Sequence, residues 1–291
     1  QVLSSAASDV YKRQDFNYEG KNVVVIGSGA TAATIVPEMS KKAKHVVMLQ
    51  RSPTYYASAP DEDAIALFLN RFLPRRFVYS LIRLRNVLFQ QWMYKRARSR
   101  PEKVKEFLLD RVKEELPNYN IQKHFTPSYN PWEQRMCLVP NSDLFEAIRQ
   151  NDVSIVTDHI EKFSKEGIEL KSGEVLKTDI IITATGIVLE NFGGIEVKVD
   201  DSLVKVSDTM TYKSMMYSGI PNFVNSFGYI NASWTLKADI TSEYVCRLLK
   251  HMDKNNFKKC CPEIPSDVEE SKEWLADWSS GYILSLIHIS E

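Results

Sequence analysis

A glycine-rich stretch, GSGATA, combines residue types that can hold a dinucleotide. Gly27 permits a tight turn, and Gly29 lets backbone amides approach a pyrophosphate at the start of a helix. Ala32 in the third position allows close packing of helix on strand. The predicted cofactor-binding residues of this turn are Gly27, Ser28, Gly29, Ala30, Thr31 and Ala32. The alternative is a glycine-rich turn with a purely structural role.

Two polar residues further along, Arg51 and Ser52, predict which dinucleotide binds. An NAD site places an acidic residue here to accept a hydrogen bond from the ribose 2′-hydroxyl, whereas a guanidinium binds a 2′-phosphate in a fork. Each charge-assisted hydrogen bond contributes roughly 1.5–3 kcal/mol, so the pair favours NADPH. The alternative is that Arg51 is a solvated surface cation.

The elements that must position these residues form a βαβ unit. The β-branched run Val23–Ile26 predicts a buried parallel strand, Thr31–Ser40 a helix and Val46–Leu49 the next strand. Pro37 lies inside the helix and is expected to bend or weaken it. The fold class predicted by this pattern is α/β.

A helical region is predicted from Asp61 to Leu116, between prolines. Its segment 71–100 carries nine basic residues and no acidic one. Apolar residues recur there every three or four positions, at Phe77, Leu81, Leu84, Leu88 and Trp92. Such a helix can lie on an anionic membrane, which would give a weak membrane-surface contact. We favour the alternative, in which the stripe packs on the body of the protein.

The remainder of the chain alternates short strands with single helices. The predicted elements are a loop at Asn118–Pro140, a helix at Leu144–Arg149, strands at Val153–Val156, Ile160–Phe163, Gly167–Leu170 and Asp179–Thr183, a hairpin turn at Lys171–Glu174, a hairpin at Glu196–Val206 and a helix at Thr235–His251.

Composition excludes several functions. The chain has 37 basic and 37 acidic residues, so no overall field favours nucleic acid. Its four cysteines and five histidines show no metal-ligand or redox spacing. The four cysteines, which show no disulfide pattern, fit a reducing cytoplasm, so we expect a cytoplasmic protein. If segment 71–100 binds lipid, the protein would lie at the inner face of the membrane as a peripheral protein.

The sequences at the two ends of the chain differ in character from the residues between them. QVLSSAASDVYKRQ and LSLIHISE, residues 1–14 and 284–291, resemble peptides translated from sequencing-adaptor DNA at the edges of an assembled contig. On that interpretation the chain is a fragment of a longer protein. The alternative is a disordered tail at each end.

Several longer motifs carry a family resemblance. HFTPSYNPWEQRMCLVPNSDLF, DIIITATG and GYINASWTLKADITSEYVCRLL, together with GSGATA and QRSPTY, resemble flavin-containing monooxygenases, in particular Baeyer–Villiger monooxygenases of the ethionamide-activating type. The resemblance covers about residues 15–282. In that family a Rossmann-like NADPH domain interrupts an FAD domain.

The resemblance implies a domain organisation for this chain. Residues 15–186 would be the NADPH domain, with a helical insertion at about 61–117, and residues 187–283 the C-terminal part of the split FAD domain. The family's FAD glycine fingerprint is not found here. The isolated chain is therefore expected neither to bind FAD by itself nor to catalyse the reaction.

The resemblance also implies a chemistry. NADPH reduces FAD, reduced flavin captures O2, and a flavin peroxide inserts oxygen beside a ketone carbonyl or oxidises sulfur or nitrogen, so the expected substrates are a ketone, sulfide or thioamide. Arg135 matches the active-site arginine, whose charge would stabilise the anionic species. The alternative for Arg135 is a salt bridge with Glu133 or Asp143.

Further residues are assigned to cofactor binding by the same resemblance. Thr185 and Gly186 would lie where the chain leaves the NADPH domain, and Asn231 and Trp234 would pass the flavin ring, although core packing suits Trp234 equally well. His159 can reach the crevice between domains, but a surface position suits it better. Two other functions stay open: a flavin-linked NADPH reductase, although the chain has no C-x-x-C, and a non-catalytic NADP-binding module.

Overall fold

The computed structural model describes residues 2–4, 16–134, 136–186, 191–229 and 234–264. The chain divides into two compact units, Gln1–Ile187 and Val188–Glu291. That the units correspond to an NADPH domain and part of an FAD domain stays a prediction.

The first unit contains ten strands and six helices in the described ranges. Its strands are β1 (Val2–Ser4), β2 (Asn22–Ile26), β3 (His45–Gln50), β4 (Tyr56–Ala59), β5 (Cys137–Pro140), β6 (Val153–Thr157), β7 (Ile160–Phe163), β8 (Gly167–Leu170), β9 (Val175–Lys177) and β10 (Ile180–Thr183). Its helices are α1 (Ala30–Ser40), α2 (Ala64–Leu69), α3 (Arg75–Ser99), α4 (Pro101–Glu115), α5 (Ile121–His124) and α6 (Asp143–Arg149).

A five-stranded parallel sheet forms the centre of this unit, in the order β1–β10–β2–β3–β6. The predicted α/β fold and the βαβ unit are confirmed. Neither interpretation of residues 1–14 predicted β1, which pairs with β10 through Val2–Ser4. The rest of that stretch, and residues 284–291, lie outside the described residues.

The sheet is buried on both faces, which explains why β2 is apolar from Val23 to Ile26. Val23 and Val25 face a core shared with α1, while Val24 and Ile26 face a second core shared with β8 and β9. Alternate residues of a strand point to opposite faces, so a strand covered on both sides needs no polar position. Helix α1 runs through Pro37, which is buried; the proline does not break the helix.

The helical region is an insertion between β4 and β5, which pair with each other in parallel. Segment 118–140, predicted as a loop, contains α5 and β5; that prediction was wrong because the pairing partner of β5 lies far away in the sequence. The insertion is joined to the body by a small core of Tyr55, Ala97, Val104 and Leu108.

Our preferred interpretation of the apolar stripe on α3 was also wrong. Phe77, Leu84, Leu88 and Trp92 expose 58%, 56%, 56% and 54% of their surfaces, and Leu81 exposes 43%. The buried residues of α3 are Val78 and Ala97, which lie off the stripe. The periodicity correctly indicated an apolar face but did not indicate what that face contacts.

Most of the remaining elements follow the predictions, although a second short hairpin at 211–217 was not predicted. Strands β7, β8 and β9 form an antiparallel sheet, and the turn at 171–174 joins β8 to β9 as expected. The second unit has the predicted hairpin of β11 (Lys198–Val199) and β12 (Ser202–Leu203), then β13 (Thr211–Tyr212), β14 (Met216–Tyr217) and α7 (Trp234–Lys254). Within the described ranges, no helix combines the length and apolar character that a membrane crossing requires.

A close backbone contact fixes the end of β2 against the end of β10. Gly27 has a φ of 133°, and a Cβ added to it would lie 2.3 Å from the carbonyl oxygen of Ala184. The Gly27 N–H donates to the Leu49 carbonyl at 2.8 Å, and the Ala184 N–H donates to the Ile26 carbonyl at 2.7 Å. Only glycine fits this position without displacing a strand.

We predict that Gly27→Ala lowers the free energy of unfolding by at least about 2 kcal/mol, because the substitution combines a disfavoured φ with a backbone overlap. In a unit of this size the melting temperature should fall by roughly 5 °C. Gly29→Ala is the matched control, since Gly29 has a φ of −80° and its added Cβ meets nothing within 4 Å. Thermal unfolding of both variants checks this, and equal melting would contradict it.

Candidate functional site

Three strand ends bring the predicted site residues to one edge of the sheet. β3 and β10 flank β2 on opposite sides, and all three strands are parallel. The segments that begin at Gly27, Arg51 and Ala184 therefore leave the sheet at its carboxyl edge. The chain passes from β2 to β3 on one side and later adds β10 on the other, and such a reversal of strand order opens a ligand crevice in α/β sheets.

Ser28 connects two of these segments. Its hydroxyl oxygen lies 3.2 Å from the Ser52 carbonyl, to which it donates, and 3.0 Å from the Thr54 hydroxyl. The structure thus brings together Ser28 and Ser52, two of the predicted residues. These two hydrogen bonds join the glycine turn to the segment that follows β3.

Tyr56, which the sequence analysis did not single out, holds the glycine turn in place from the core side. Its buried hydroxyl donates to the Ser28 carbonyl at 2.8 Å, and the Cys137 sulfur lies 3.8 Å from the same oxygen. Burial raises the pKa of Tyr56 well above its ordinary value, so the hydroxyl keeps its proton. The motif QRSPTY ends one residue before Tyr56, and no pattern in the sequence linked this tyrosine to the glycine turn.

The start of α1 is open to an anion. Among the described residues, no side chain caps this terminus, and its first turn carries no acidic residue. The first amides of a helix carry partial positive charge and seek an acceptor. Gly29, Ala30 and Thr31 are exposed, and space lies beyond Gly29 where a side chain would project. Ala32 is buried against the core, as the fingerprint requires.

Arg51 lies at the end of β3 with its side chain exposed. It makes no ion pair or hydrogen bond with any part of the chain that the structure describes. Ser52 beside it is also exposed. A free guanidinium next to a hydroxyl can bind a phosphate dianion.

The residue before Arg51 fixes the backbone there. Gln50 is fully buried, and its side-chain N–H2 donates to the His124 carbonyl and the Thr157 hydroxyl, both at 2.8 Å. Thr157 Oγ1 lies 2.8 Å from Nδ1 of His124, and burial lowers the pKa of that histidine, which favours its neutral form. Oε1 of Gln50 has no hydrogen-bond partner among the described residues. The network ties β3 to β6 and α5.

The other predicted residues fall in different places. Thr185 and Gly186 follow Ala184 directly, and both are exposed, with Gly186 at a φ of 100°. Trp234 begins α7 in the second unit; it is 45% exposed, and its ring centroid lies 4.8 Å from that of Phe227. Arg135 and Asn231 lie outside the described residues.

The arrangement can bind phosphate groups, and its described residues suggest no metal chemistry. His159 is exposed, as the surface interpretation expected. In the described ranges, no three His, Cys, Asp or Glu side chains come together as a metal site would require. The residues fit a nucleotide with two kinds of phosphate: a pyrophosphate at α1 and a second group near Arg51.

Comparison with known proteins identifies the family. The model of the family described as flavin-binding monooxygenase-like matches residues 4–284. The chain is 52% identical over 274 residues to the FAD-containing monooxygenase EthA of Mycobacterium tuberculosis, and 45% identical over 271 residues to the probable FAD-binding monooxygenase AlmA of Acinetobacter baylyi. These matches cover 93% of this chain but 56% and 54% of the two relatives, so the chain spans about half their length.

Solved structures share the fold. A crystal structure of the protein named OTEMO in complex with FAD and NADP matches with a TM-score of 0.67 and 18% identity, over 90% of this chain and 57% of that one. A cyclohexanone-bound cyclohexanone monooxygenase matches with a TM-score of 0.61 and 16% identity, over 88% and 58% of the two chains. The α/β fold with its parallel sheet corresponds to part of these larger structures.

We predict that Tyr56→Phe weakens binding of NADPH, the nucleotide that the sequence predicts, by about fivefold. Loss of the hydroxyl removes one hydrogen bond worth about 1 kcal/mol from the Ser28 carbonyl. Tyr55→Phe is the matched control, because the Tyr55 hydroxyl, equally buried, donates instead to the Tyr129 carbonyl. Calorimetric titration of both variants checks this. Equal affinity losses would mean that support of Ser28 is not what matters.

Proposed function

The chain belongs to the flavin-binding monooxygenase-like family, and on that premise we propose that it is the NADPH-binding part of a monooxygenase. The observation that carries the proposal is the carboxyl edge of the parallel sheet. There an uncapped α1, an open Gly29 and an unpaired Arg51 come together within the described first unit.

The residues of the first unit would share the nucleotide between them. The amides from Gly27 to Ala32 would hold the pyrophosphate, and Arg51 with Ser52 would hold the 2′-phosphate. Thr185 and Gly186 are exposed next to the glycine turn and would line the same crevice. In this proposal the first unit is a Rossmann-like domain with a helical insertion, and the second is the C-terminal part of a split FAD domain.

The proposed activity is insertion of one oxygen atom from O2 into a ketone, or oxidation of sulfur or nitrogen in a sulfide or thioamide. FAD, when bound, supplies the oxygen-activating chemistry, and NADPH supplies the reducing equivalents. Two relatives are named FAD-containing or FAD-binding monooxygenases, and a structural neighbour holds a ketone, cyclohexanone. We assign Arg135 a catalytic role and place Asn231 and Trp234 near the flavin; the family resemblance supports all three.

A second candidate function is a non-catalytic NADP-binding module. It is favoured by the composition of the site, since the described residues of the crevice are of types that suit phosphate and include no redox-active group. The visible spectrum of the purified chain separates the two. A chain that binds NADPH but carries no flavin absorption acts as the module, whereas a stoichiometric yellow protein binds FAD unaided.

We predict that Arg51→Ala weakens NADPH binding by about 10- to 100-fold, because one or two charge-assisted hydrogen bonds to the 2′-phosphate are lost. NADH lacks that phosphate, so its affinity should change less than about twofold. Titration of both nucleotides into the purified chain measures the two effects.

Two controls accompany this variant. Arg51→Lys keeps the charge but loses the planar fork, and should recover part of the NADPH affinity. Arg111→Ala removes an exposed arginine whose ion pair, with Glu114, lies within α4, and should leave both affinities unchanged. If Arg51→Ala weakens NADPH and NADH alike, the 2′-phosphate assignment is wrong.

Arg135→Ala tests the catalytic assignment in a form of the protein extended to the length of its relatives. A fixed cation near the oxygen that gains negative charge contributes several kcal/mol in a site that excludes water. Ketone oxygenation should fall by at least about 10²-fold, while NADPH oxidation persists and releases hydrogen peroxide. The decisive ratio is product formed per NADPH consumed. An unchanged ratio and rate would leave Arg135 a structural role.

A further inference from the structure

Helix α3 carries an apolar face that no described residue covers. Phe77, Leu81, Leu84, Leu88 and Trp92 follow one another at intervals of four, three, four and four residues, so they lie along one side of the helix. We call these five residues the α3 face. All five are substantially exposed, and contiguous apolar surface of this kind marks an interaction site.

Positive charge surrounds this face. Segment 71–100 contains nine basic residues and no acidic one, although the whole chain is neutral. Arg85 pairs with Asp63. Arg71, Arg75, Arg76 and Lys95 form no ion pair within the described part of the chain. Their charge is therefore available to a partner outside the described residues.

A basic depression lies at one end of the α3 face. It has a volume of about 290 Å³ and is lined by Trp92, Lys95, Arg96, Ser99 and Arg100. The Arg96 guanidinium lies 5.6 Å from the centroid of the Trp92 ring, a distance at which a cation stabilises an aromatic face. The three cationic side chains and the serine hydroxyl of this depression can bind a phosphate group. The tryptophan beside them is a residue type enriched at the interface between a membrane and water.

We propose that the α3 face binds the surface of an anionic phospholipid membrane. The apolar side chains would enter the boundary between headgroups and acyl chains, the surrounding cations would neutralise lipid phosphates, and the depression would receive one headgroup. Since no described helix can span a bilayer, this contact is peripheral.

Charge disfavours protein occupants. Lysine is depleted at protein interfaces, whereas Lys95 lies in line with Phe77 and Leu88 on this side of the helix. A symmetric dimer through the same face would bring the cations Arg71, Arg75, Arg76 and Lys95 of one copy close to those of the other and raise the electrostatic energy. An anionic bilayer accommodates both the apolar residues and the charge.

Co-sedimentation of the whole chain with lipid vesicles tests the proposal. We expect binding to vesicles of phosphatidylcholine mixed with phosphatidylglycerol, and at least tenfold weaker binding to phosphatidylcholine alone. Raising the ionic strength should weaken the former, because salt screens exposed charges. Absence of binding to the mixed vesicles, or equal binding to both kinds, would overturn the proposal.

Two double variants separate the apolar and the charged contributions. Leu84→Glu with Leu88→Glu should reduce vesicle binding at least tenfold, whereas Phe163→Glu with Leu203→Glu, at two similarly exposed positions elsewhere, should reduce it less than twofold.

Arg76→Glu with Lys95→Glu should also reduce binding at least tenfold, and Lys165→Glu with Lys259→Glu is its charge-matched control. All four double variants should have the same melting temperature as the unmodified chain. If a control variant loses as much vesicle binding as its test variant, the assignment of lipid binding to α3 is wrong.

Two further results would assign the face to a protein instead. Light scattering on the lipid-free chain would reveal a dimer, and dissociation of that dimer by the Leu84/Leu88 variant would mean that a second copy covers the face. Sedimentation is then repeated with the protein extended to the length of its relatives. Failure of that form to bind would mean that the remainder of the protein covers the face. Neither result depends on nucleotide binding.

Discussion

The contact between Gly27 and the carbonyl of Ala184 determines how the ends of β2 and β10 meet. A Cβ at Gly27 would lie 2.3 Å from that oxygen, so the two backbones can approach this closely only with glycine present. The approach directs the chain sharply from β2 into α1, and places Thr185 and Gly186 beside the turn. The open start of α1 and the crevice where β2 and β10 end both depend on this backbone geometry.

The site combines a fixed backbone with an exposed cation, and the two properties have separate causes. Gln50 is anchored to Thr157 and to the His124 carbonyl inside the protein, and Ser28 is anchored to Ser52 and Tyr56. Arg51 projects from between these anchors into solvent. Because the guanidinium is exposed to solvent, it places no unpaired charge inside the protein, while the anchored residues on either side hold the backbone of the glycine turn in place.

Local sequence patterns predicted those elements whose structure is determined by residues close together in the sequence. The apolar run of β2, the glycine turn and the periodicity of α1 depend on neighbouring residues, and all three elements were found. The role of Tyr56 could not be predicted, because its partner Ser28 lies 28 residues away, with α1 and β3 between them in the sequence. The pairing of β4 with β5 spans the whole insertion. Periodicity showed that α3 has an apolar face, but burial depends on what lies opposite.

The dipeptide Tyr55–Tyr56 joins the two surfaces that the structure offers to partners. Successive residues of an extended chain point to opposite sides. Tyr55 packs into the small core with Ala97, Val104 and Leu108, which holds the C-terminal end of α3, whereas Tyr56 enters the main core and bonds to Ser28 under the glycine turn. The helix proposed to meet lipid and the turn proposed to meet nucleotide are therefore fixed to the same stretch of backbone.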